Sequence, residues 1–232
     1  MKIRIKTSWF IFVAVIFILA LSRGANAQSA SLQMVITWQA YGSYVPPGYA
    51  DKALPNQEAK LMASLELLSN GKPADLSGQT IYWYLNNTLI GNSIGEQHIV
   101  FSPFGTAPAF LTLKAELPSY NGNLLIQEIQ IPLVDPKAVI EAPHPTGQFS
   151  KNPITLQGVP YFFYVSDPDA LSYAWSVNGQ TSAATENPQT LQLNLDPTTP
   201  SGSSFSASLI ITDPNSSAKS SDSTNVVYVK QL

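Results

Sequence analysis

The 232-residue chain contains no cysteine, and charged residues make up only 12% of it. Without cysteine the chain has no disulfide bond, thiolate zinc site, iron–sulfur cluster or cysteine nucleophile. Arginine is absent after Arg23, and the chain beyond residue 27 has eight lysines against 15 acidic residues, a net charge of −7. Nucleic acid and anionic lipid need a basic surface, so we expect neither as a partner.

Residues 1–27 have the pattern of a secretory signal peptide. Three basic residues precede an apolar run from Trp9 to Leu21, and Ala25 and Ala27 place small residues before the predicted cleavage site. The run is shorter than the ~20 residues that a membrane span needs, which favours cleavage over an uncleaved anchor. We therefore expect a bacterial export route, no membrane span in the mature chain, and a secreted, periplasmic or cell-surface location.

Beyond residue 28, apolar and polar residues alternate with a period of two, as in Leu111–Leu117, Leu191–Leu195 and Phe205–Ile211. One apolar face per segment is typical of half-buried antiparallel strands. Asn-Gly and Ser-Gly pairs separate these segments and indicate turns. Residues 58–68 alone fit a helix or a strand. The sequence predicts an all-β fold.

The order of these elements then repeats. Trp83 and Trp175 lie 92 positions apart in similar segments, Ile81–Asn86 and Ser172–Asn178. A repeat of about 95 residues is the length of one seven-stranded sandwich. We therefore predict two tandem immunoglobulin-like β-sandwiches after a cleaved signal peptide, over residues 28–136 and 137–232, with a short seam at Asp135-Pro136-Lys137.

The second half resembles the PKD-type immunoglobulin-like domain of bacterial surface proteins. The resemblance covers residues 138–232 and depends on three segments, Leu171–Gly179, Ala207–Asp213 and Val226–Val229. The family's Asp-Phe-Gly-Asp-Gly motif is absent, so the resemblance implies the fold alone. The first half is similar, more loosely, to bacterial immunoglobulin-like repeats. Both resemblances imply that Trp83 and Trp175 lie in the core on the third strand of a sandwich, where packing replaces the missing disulfide.

Three carboxylates fall in predicted loops at one end of the second sandwich. Asp167 and Asp169 follow its second strand, and Asp213 lies between its last two strands. Carboxylates and loop carbonyls suit a hard cation, so a calcium site is one interpretation. The other is that Asp-Pro pairs simply begin turns, as at Asp135 and Asp196. No other cofactor is predicted.

A long loop with three tyrosines follows the first predicted strand. Tyr41, Tyr44 and Tyr49 lie in a segment rich in proline and glycine that continues to Pro55. A loop of this length exceeds a simple connection. Its tyrosines are candidates for contact with a glycan or a partner protein. A competing hypothesis follows from topology, because this loop would face the Asp167, Asp169 and Asp213 loops across the seam and stiffen a two-domain rod.

An enzyme is the least favoured function class. The pentapeptide Gly91–Gly95 matches the Gly-x-Ser-x-Gly motif, with Asp135 and His144 after it, but that motif needs a strand-to-helix turn. We expect a non-catalytic secreted or cell-surface module for adhesion or assembly, with a protein or glycan partner. The alternatives are a structural spacer or accessory subunit of an envelope machine such as a pilus, and a carbohydrate-binding accessory module.

Overall fold

The computed structural model describes residues 31–104, 109–143, 146–183 and 186–230. The predicted signal peptide lies outside these ranges, as does His144. In the described part of the chain, no helix has the length and apolar character needed to cross a membrane.

The described residues are built from strands, with one short 3-10 turn at Pro168–Ala170 and no α-helix. Residues 58–68, which fitted either structure, contribute to a strand, β2. In chain order the strands are β1 (Leu32–Tyr41), β2 (Lys60–Ser69), β3 (Lys72–Pro73), β4 (Thr80–Leu85), β5 (Thr88–Ile94), β6 (His98–Phe101), β7 (Phe110–Tyr120), β8 (Asn123–Pro132), β9 (Lys137–Glu141), β10 (Gln148–Phe149), β11 (Ile154–Tyr161), β12 (Ser172–Val177), β13 (Gln180–Thr181), β14 (Thr190–Leu193), β15 (Ser204–Thr212) and β16 (Lys219–Tyr228).

The first sandwich consists of two four-stranded sheets. One sheet has the order β1-β2-β3, with β6 also paired to β2, and the other has the order β5-β4-β7-β8. All of these pairings are antiparallel. Inward side chains from both sheets form one hydrophobic cluster that extends from Ile36 to Ile131. The alternation in Leu111–Leu117 is the inward face of β7, where Leu111, Leu113, Ala115 and Leu117 are buried.

The second sandwich also has two sheets, β14-β11-β9 and β10-β16-β15-β12-β13. Its strands are antiparallel except for β10, which pairs in parallel with β16. The cluster between these sheets runs from Ala138 to Val226, separate in sequence from the first core. The all-β prediction with two immunoglobulin-like sandwiches is therefore confirmed.

Each core contains one tryptophan with the same hydrogen bond. Trp83 on β4 and Trp175 on β12 are both buried. The indole N–H of Trp83 donates to the Glu96 carbonyl at 3.0 Å, and that of Trp175 donates to the Pro188 carbonyl at 3.0 Å. Each acceptor lies 13 residues after its tryptophan. A buried indole with a satisfied N–H adds a large apolar area at no polar cost.

The turns after these two tryptophan strands also repeat. Asn86 and Asn178 both adopt positive φ, of 48° and 50°. The Asn86 side chain accepts a hydrogen bond from the Thr112 amide, and the Asn178 side chain accepts one from the Ser206 amide, each at 2.9 Å. Asparagine tolerates the left-handed region, and its side-chain oxygen pairs with an amide of a neighbouring strand. The same residue type therefore stabilises both turns.

We predict that Trp83→Ala destabilises the protein by about 3–5 kcal/mol, since it leaves a cavity in the core and an unpaired carbonyl at Glu96. Urea unfolding followed by circular dichroism measures the loss. Tyr82→Ala, at the partly exposed neighbouring position of the same strand, is the control and should cost much less. Equal losses for the two variants would contradict this role of the indole.

Candidate functional site

The loop between β1 and β2, residues 42–59, joins the two sandwiches through main-chain hydrogen bonds. The Tyr44 amide donates to the Phe163 carbonyl at 2.8 Å, and the Phe162 amide donates to the Tyr44 carbonyl at 2.6 Å. Ser43 and Tyr164 form an isolated antiparallel bridge beside them. The loop therefore adds a short strand-like segment to the chain that follows β11.

Asn56 reinforces this junction from a buried position. It is 2% exposed, and its side-chain Nδ2 donates to the Phe162 carbonyl at 2.8 Å. Its Oδ1 accepts from the Glu58 amide at 2.8 Å, which also fixes the end of the loop before β2. A buried side-chain amide with both ends paired specifies one geometry, because any displacement leaves a polar group unsatisfied.

Two residues of unusual backbone conformation shape the contact. Gly42 has φ +74°, and a Cβ added there would lie 2.4 Å from Cε2 of Tyr164. The loop thus starts where only glycine gives both the backbone angle and the clearance. On the opposite side, Phe162 has φ +61°, which is rare for an aromatic residue. Such strain persists only where the surroundings hold it, here through the bonds to Tyr44 and Asn56.

Aromatic rings extend the contact beyond the main chain. Tyr49 lies edge-on to Tyr161 and to Phe162, with both pairs of ring centroids 6.0 Å apart. Strand periodicity places Val159 on the face of β11 opposite to the core residue Leu156. Val159 is not part of the second core, yet it is only 8% exposed. Its burial together with these rings shows that the loop covers this outer face of β11.

An open cleft of about 550 Å³ lies between the loop and the β9–β11 face. Its wall from the first sandwich contains Tyr44, Pro46, Pro47 and Tyr49. Its wall from the second sandwich contains the neighbours Glu141 and Gln157, together with Tyr161 and Gln189.

The phenols at the junction are held in their protonated form. Burial, and then the charges of Asp167 and Asp169, raise the pKa of Tyr44. Burial is also the first cause that raises the pKa of Tyr173, followed by Tyr44 and the same two carboxylates. The Tyr173 hydroxyl donates to the Pro168 carbonyl at 3.1 Å. Two of the three carboxylates that topology placed opposite the loop, Asp167 and Asp169, thus act on Tyr44, and Asp213 is not among the causes of its shift.

The three predicted calcium ligands each have local hydrogen bonds. Asp167 accepts from the Asp169 amide at 2.9 Å, and Asp169 accepts from the side chain of Gln189. Asp213, buried in the β15–β16 loop, accepts from the Asn215 amide at 2.8 Å and the Ser216 hydroxyl at 3.2 Å. Across the described ranges, no three His, Asp or Glu side chains are grouped to hold a metal ion. Calcium binding stays a prediction.

The structure separates the three predicted binding tyrosines. Tyr44 and Tyr49 line the cleft, whereas Tyr41 is the exposed last residue of β1 and its hydroxyl contacts Met62 Sδ at 3.6 Å. At the same loop, Lys52 Nζ lies 3.3 Å from the Trp38 ring centroid. Burial lowers the pKa of Lys52. The cation–π contact holds this part of the loop on its own sandwich.

Sequence reasoning missed Asn56, Phe162 and the outer face of β11. A signal was present, because Gly158–Phe163 is a continuous apolar run that breaks the alternation. Such a run indicates a strand covered on both faces. The covering segment comes from the other sandwich, so local pattern alone could not identify it.

The pentapeptide Gly91–Gly95 falls mainly within β5, an outer strand of its sheet. Ser93 pairs with Ile81 of β4. This is not the strand-to-helix turn that exposes a nucleophilic serine.

No protein-family model matches the sequence, and no curated protein matches it. Among solved structures, the chain is similar to fibronectin(III)-like modules of Clostridium thermocellum CbhA, with 14% identity, a TM-score of 0.29, and coverage of 84% of this chain and 95% of that chain. It is also similar to three N-terminal domains of the highly immunogenic outer capsid protein of bacteriophage RB49, with 11% identity, a TM-score of 0.44, and coverage of 85% and 59%. A third is SGBP-B of the Bacteroides ovatus mixed-linkage glucan utilization locus, in complex with a mixed-linkage heptasaccharide, with 14% identity, a TM-score of 0.27, and coverage of 83% and 47%.

We predict that Asn56→Ala loosens the junction while both cores stay folded. The substitution leaves the part-buried Phe162 carbonyl without this donor, at a cost of about 1–3 kcal/mol. Hydrogen exchange of the Tyr44 and Phe162 amides measures the effect and should accelerate. Gln57→Ala, at the exposed neighbouring amide, is the control. Unchanged exchange in Asn56→Ala would show that the side chain does not hold the junction.

We also predict an alkaline loss of stability through Tyr173. Because its pKa in the folded protein is raised above 10.0, the unfolded chain releases this proton first. Its contribution is therefore complete below pH 10 and is lost as the pH rises further. Tyr173→Phe should reduce the slope of unfolding free energy against pH above that point, measured by urea unfolding. An unchanged slope would contradict the prediction. The variant's stability at neutral pH, lower by about 1 kcal/mol for the lost hydrogen bond, is the reference.

Proposed function

We propose that this protein is a non-catalytic cell-surface assembly module whose two sandwiches act as one unit of fixed orientation. The observation that carries the proposal is the pairing of Tyr44 with Phe162 and Phe163, locked by the buried amide of Asn56. A flexible tether between sandwiches needs none of these contacts. A module that must hold attached parts at a set distance and angle needs contacts of this kind.

The exported location in this proposal is supported by the signal-peptide pattern of residues 1–27, with cleavage after Ala27. The absence of cysteine and the low charge fit a bacterial envelope or surface. A unit of fixed orientation fits two roles. One is adhesion to a protein or glycan, and the other is a spacer in an envelope machine.

We predict that residual dipolar couplings from the two sandwiches fit a single alignment tensor. Deletion of residues 43–54, which removes Ser43, Tyr44 and Tyr49, combined with Asn56→Ala, should split them into two tensors because the remaining connection is then the short seam at Asp135–Lys137. The indole resonances of Trp83 and Trp175 are the internal control and should keep their positions, since both cores remain intact. A single tensor after the deletion would overturn the proposal.

A further inference from the structure

We infer that the cleft between the β1–β2 loop and the outer face of β11 binds a neutral oligosaccharide. This goes beyond the fixed orientation of the sandwiches, which holds whether or not the cleft is filled. A cleft of about 550 Å³ is within the usual range for small-ligand sites. It is formed by both sandwiches, so the junction that fixes them also gives the site its shape.

The charge of the lining restricts the ligand class. Among the described residues that line the cleft, Glu141 is the one acidic side chain, and none is lysine, arginine or histidine. Phosphate, sulfate and carboxylate groups would meet no cation among these lining residues and would be repelled by Glu141. Nucleotides, acidic glycans and acidic peptides are therefore poor ligands, whereas a neutral ligand meets no charge penalty.

The polar groups of the second wall suit hydroxyl groups. Glu141 and Gln157 are direct neighbours on β9 and β11, which places a carboxylate and a carboxamide side by side. The Gln157 side chain donates to Gln189 Oε1 over a long 3.5 Å, and Gln189 donates to Asp169. This chain of amides orients donors and acceptors at one wall of the cleft. A hydroxyl both donates and accepts, so it can pair with either end of a carboxamide.

The apolar groups of the cleft suit the faces of sugar rings. Tyr49 and Tyr161 contact each other edge to face and give the two walls an aromatic surface with polar tips. Pro46, Pro47 and Pro160 add rigid apolar area. Because the acid and amides interrupt this surface, a lipid chain would leave them unpaired, at a cost in free energy.

The main chain argues against an extended peptide. Peptides commonly bind by adding a strand to a free sheet edge. Along the cleft, however, β11 pairs with β9 over Gln157–Tyr161, and its pairing with β14 ends at Gln157. Beyond that point the Gly158 amide donates to the Gln189 carbonyl, Pro160 has no N–H, and the Phe162 amide donates to the Tyr44 carbonyl, so none of them offers a free donor to an added strand. Recognition there must come from side chains above the sheet, which is the mode that a rigid polyhydroxylated ligand needs.

The test is a 1H–15N titration of the intact protein with neutral cello-, xylo-, manno- and malto-tetraose at millimolar concentrations. We expect at least one to shift the amide resonances of Gln157, Gln189 and Tyr49. Gln157→Ala and Tyr161→Ala should each weaken its affinity by about tenfold or more. Tyr82→Ala, a tyrosine on the first sandwich away from the cleft, is the matched control and should bind normally.

A tetragalacturonate titration and a proline-rich peptide titration complete the experiment. The inference is overturned if none of the neutral sugars shifts these resonances, if binding survives both cleft variants, or if the acidic sugar or the peptide binds there more tightly. Dipolar couplings recorded on the same samples separate the two proposals, because a single alignment tensor without sugar binding rejects the ligand and leaves the fixed orientation intact.

Discussion

The relative orientation of the two sandwiches depends on two main-chain hydrogen bonds, which join Tyr44 to Phe162 and Phe163. Both partners lie in loops, where main-chain groups would otherwise bond to water. Because they pair with each other, the buried amide of Asn56 has a fixed carbonyl to reach. The left-handed backbone of Phe162 is held in the same way. Tyr49 can then cover the outer face of β11, which creates the cleft. Loss of this pairing would release the orientation of the sandwiches and the cleft together.

Both sandwiches are stabilised without a disulfide bond, and in the same way. A tryptophan on the third main strand fills the core, and its N–H finds a carbonyl 13 residues later. An asparagine at positive φ then begins the following turn, and its side chain accepts a hydrogen bond from a main-chain amide of β7 or β15. These bonds recur at both copies although the two halves share few other residues. The repeat therefore preserves two physical features, a buried indole with a satisfied N–H and a turn that begins with an asparagine at positive φ.

The fold could be predicted from the sequence because its causes are local. Alternation in β7 and β15 marks their buried faces, and Asn-Gly pairs mark turns. Trp83 and Trp175 identify the repeat. The candidate site depends on contacts between distant segments, so only part of it could be predicted. Topology placed the tyrosine loop near Asp167 and Asp169. It gave no sign that Tyr41 would stay apart, or that an ordinary residue such as Asn56 would pair with a carbonyl 106 positions away.

We propose that the two sandwiches keep one orientation in solution. The natural absence of cysteine allows a direct measurement, since two introduced cysteines would be the only sites for spin labels. Gln130→Cys on β8 and Gln192→Cys on β14 replace exposed strand residues on separate sandwiches. We expect a single narrow distance distribution between the labels, as for a pair placed within one sandwich. A broad or multimodal distribution, with both cores folded, would contradict it.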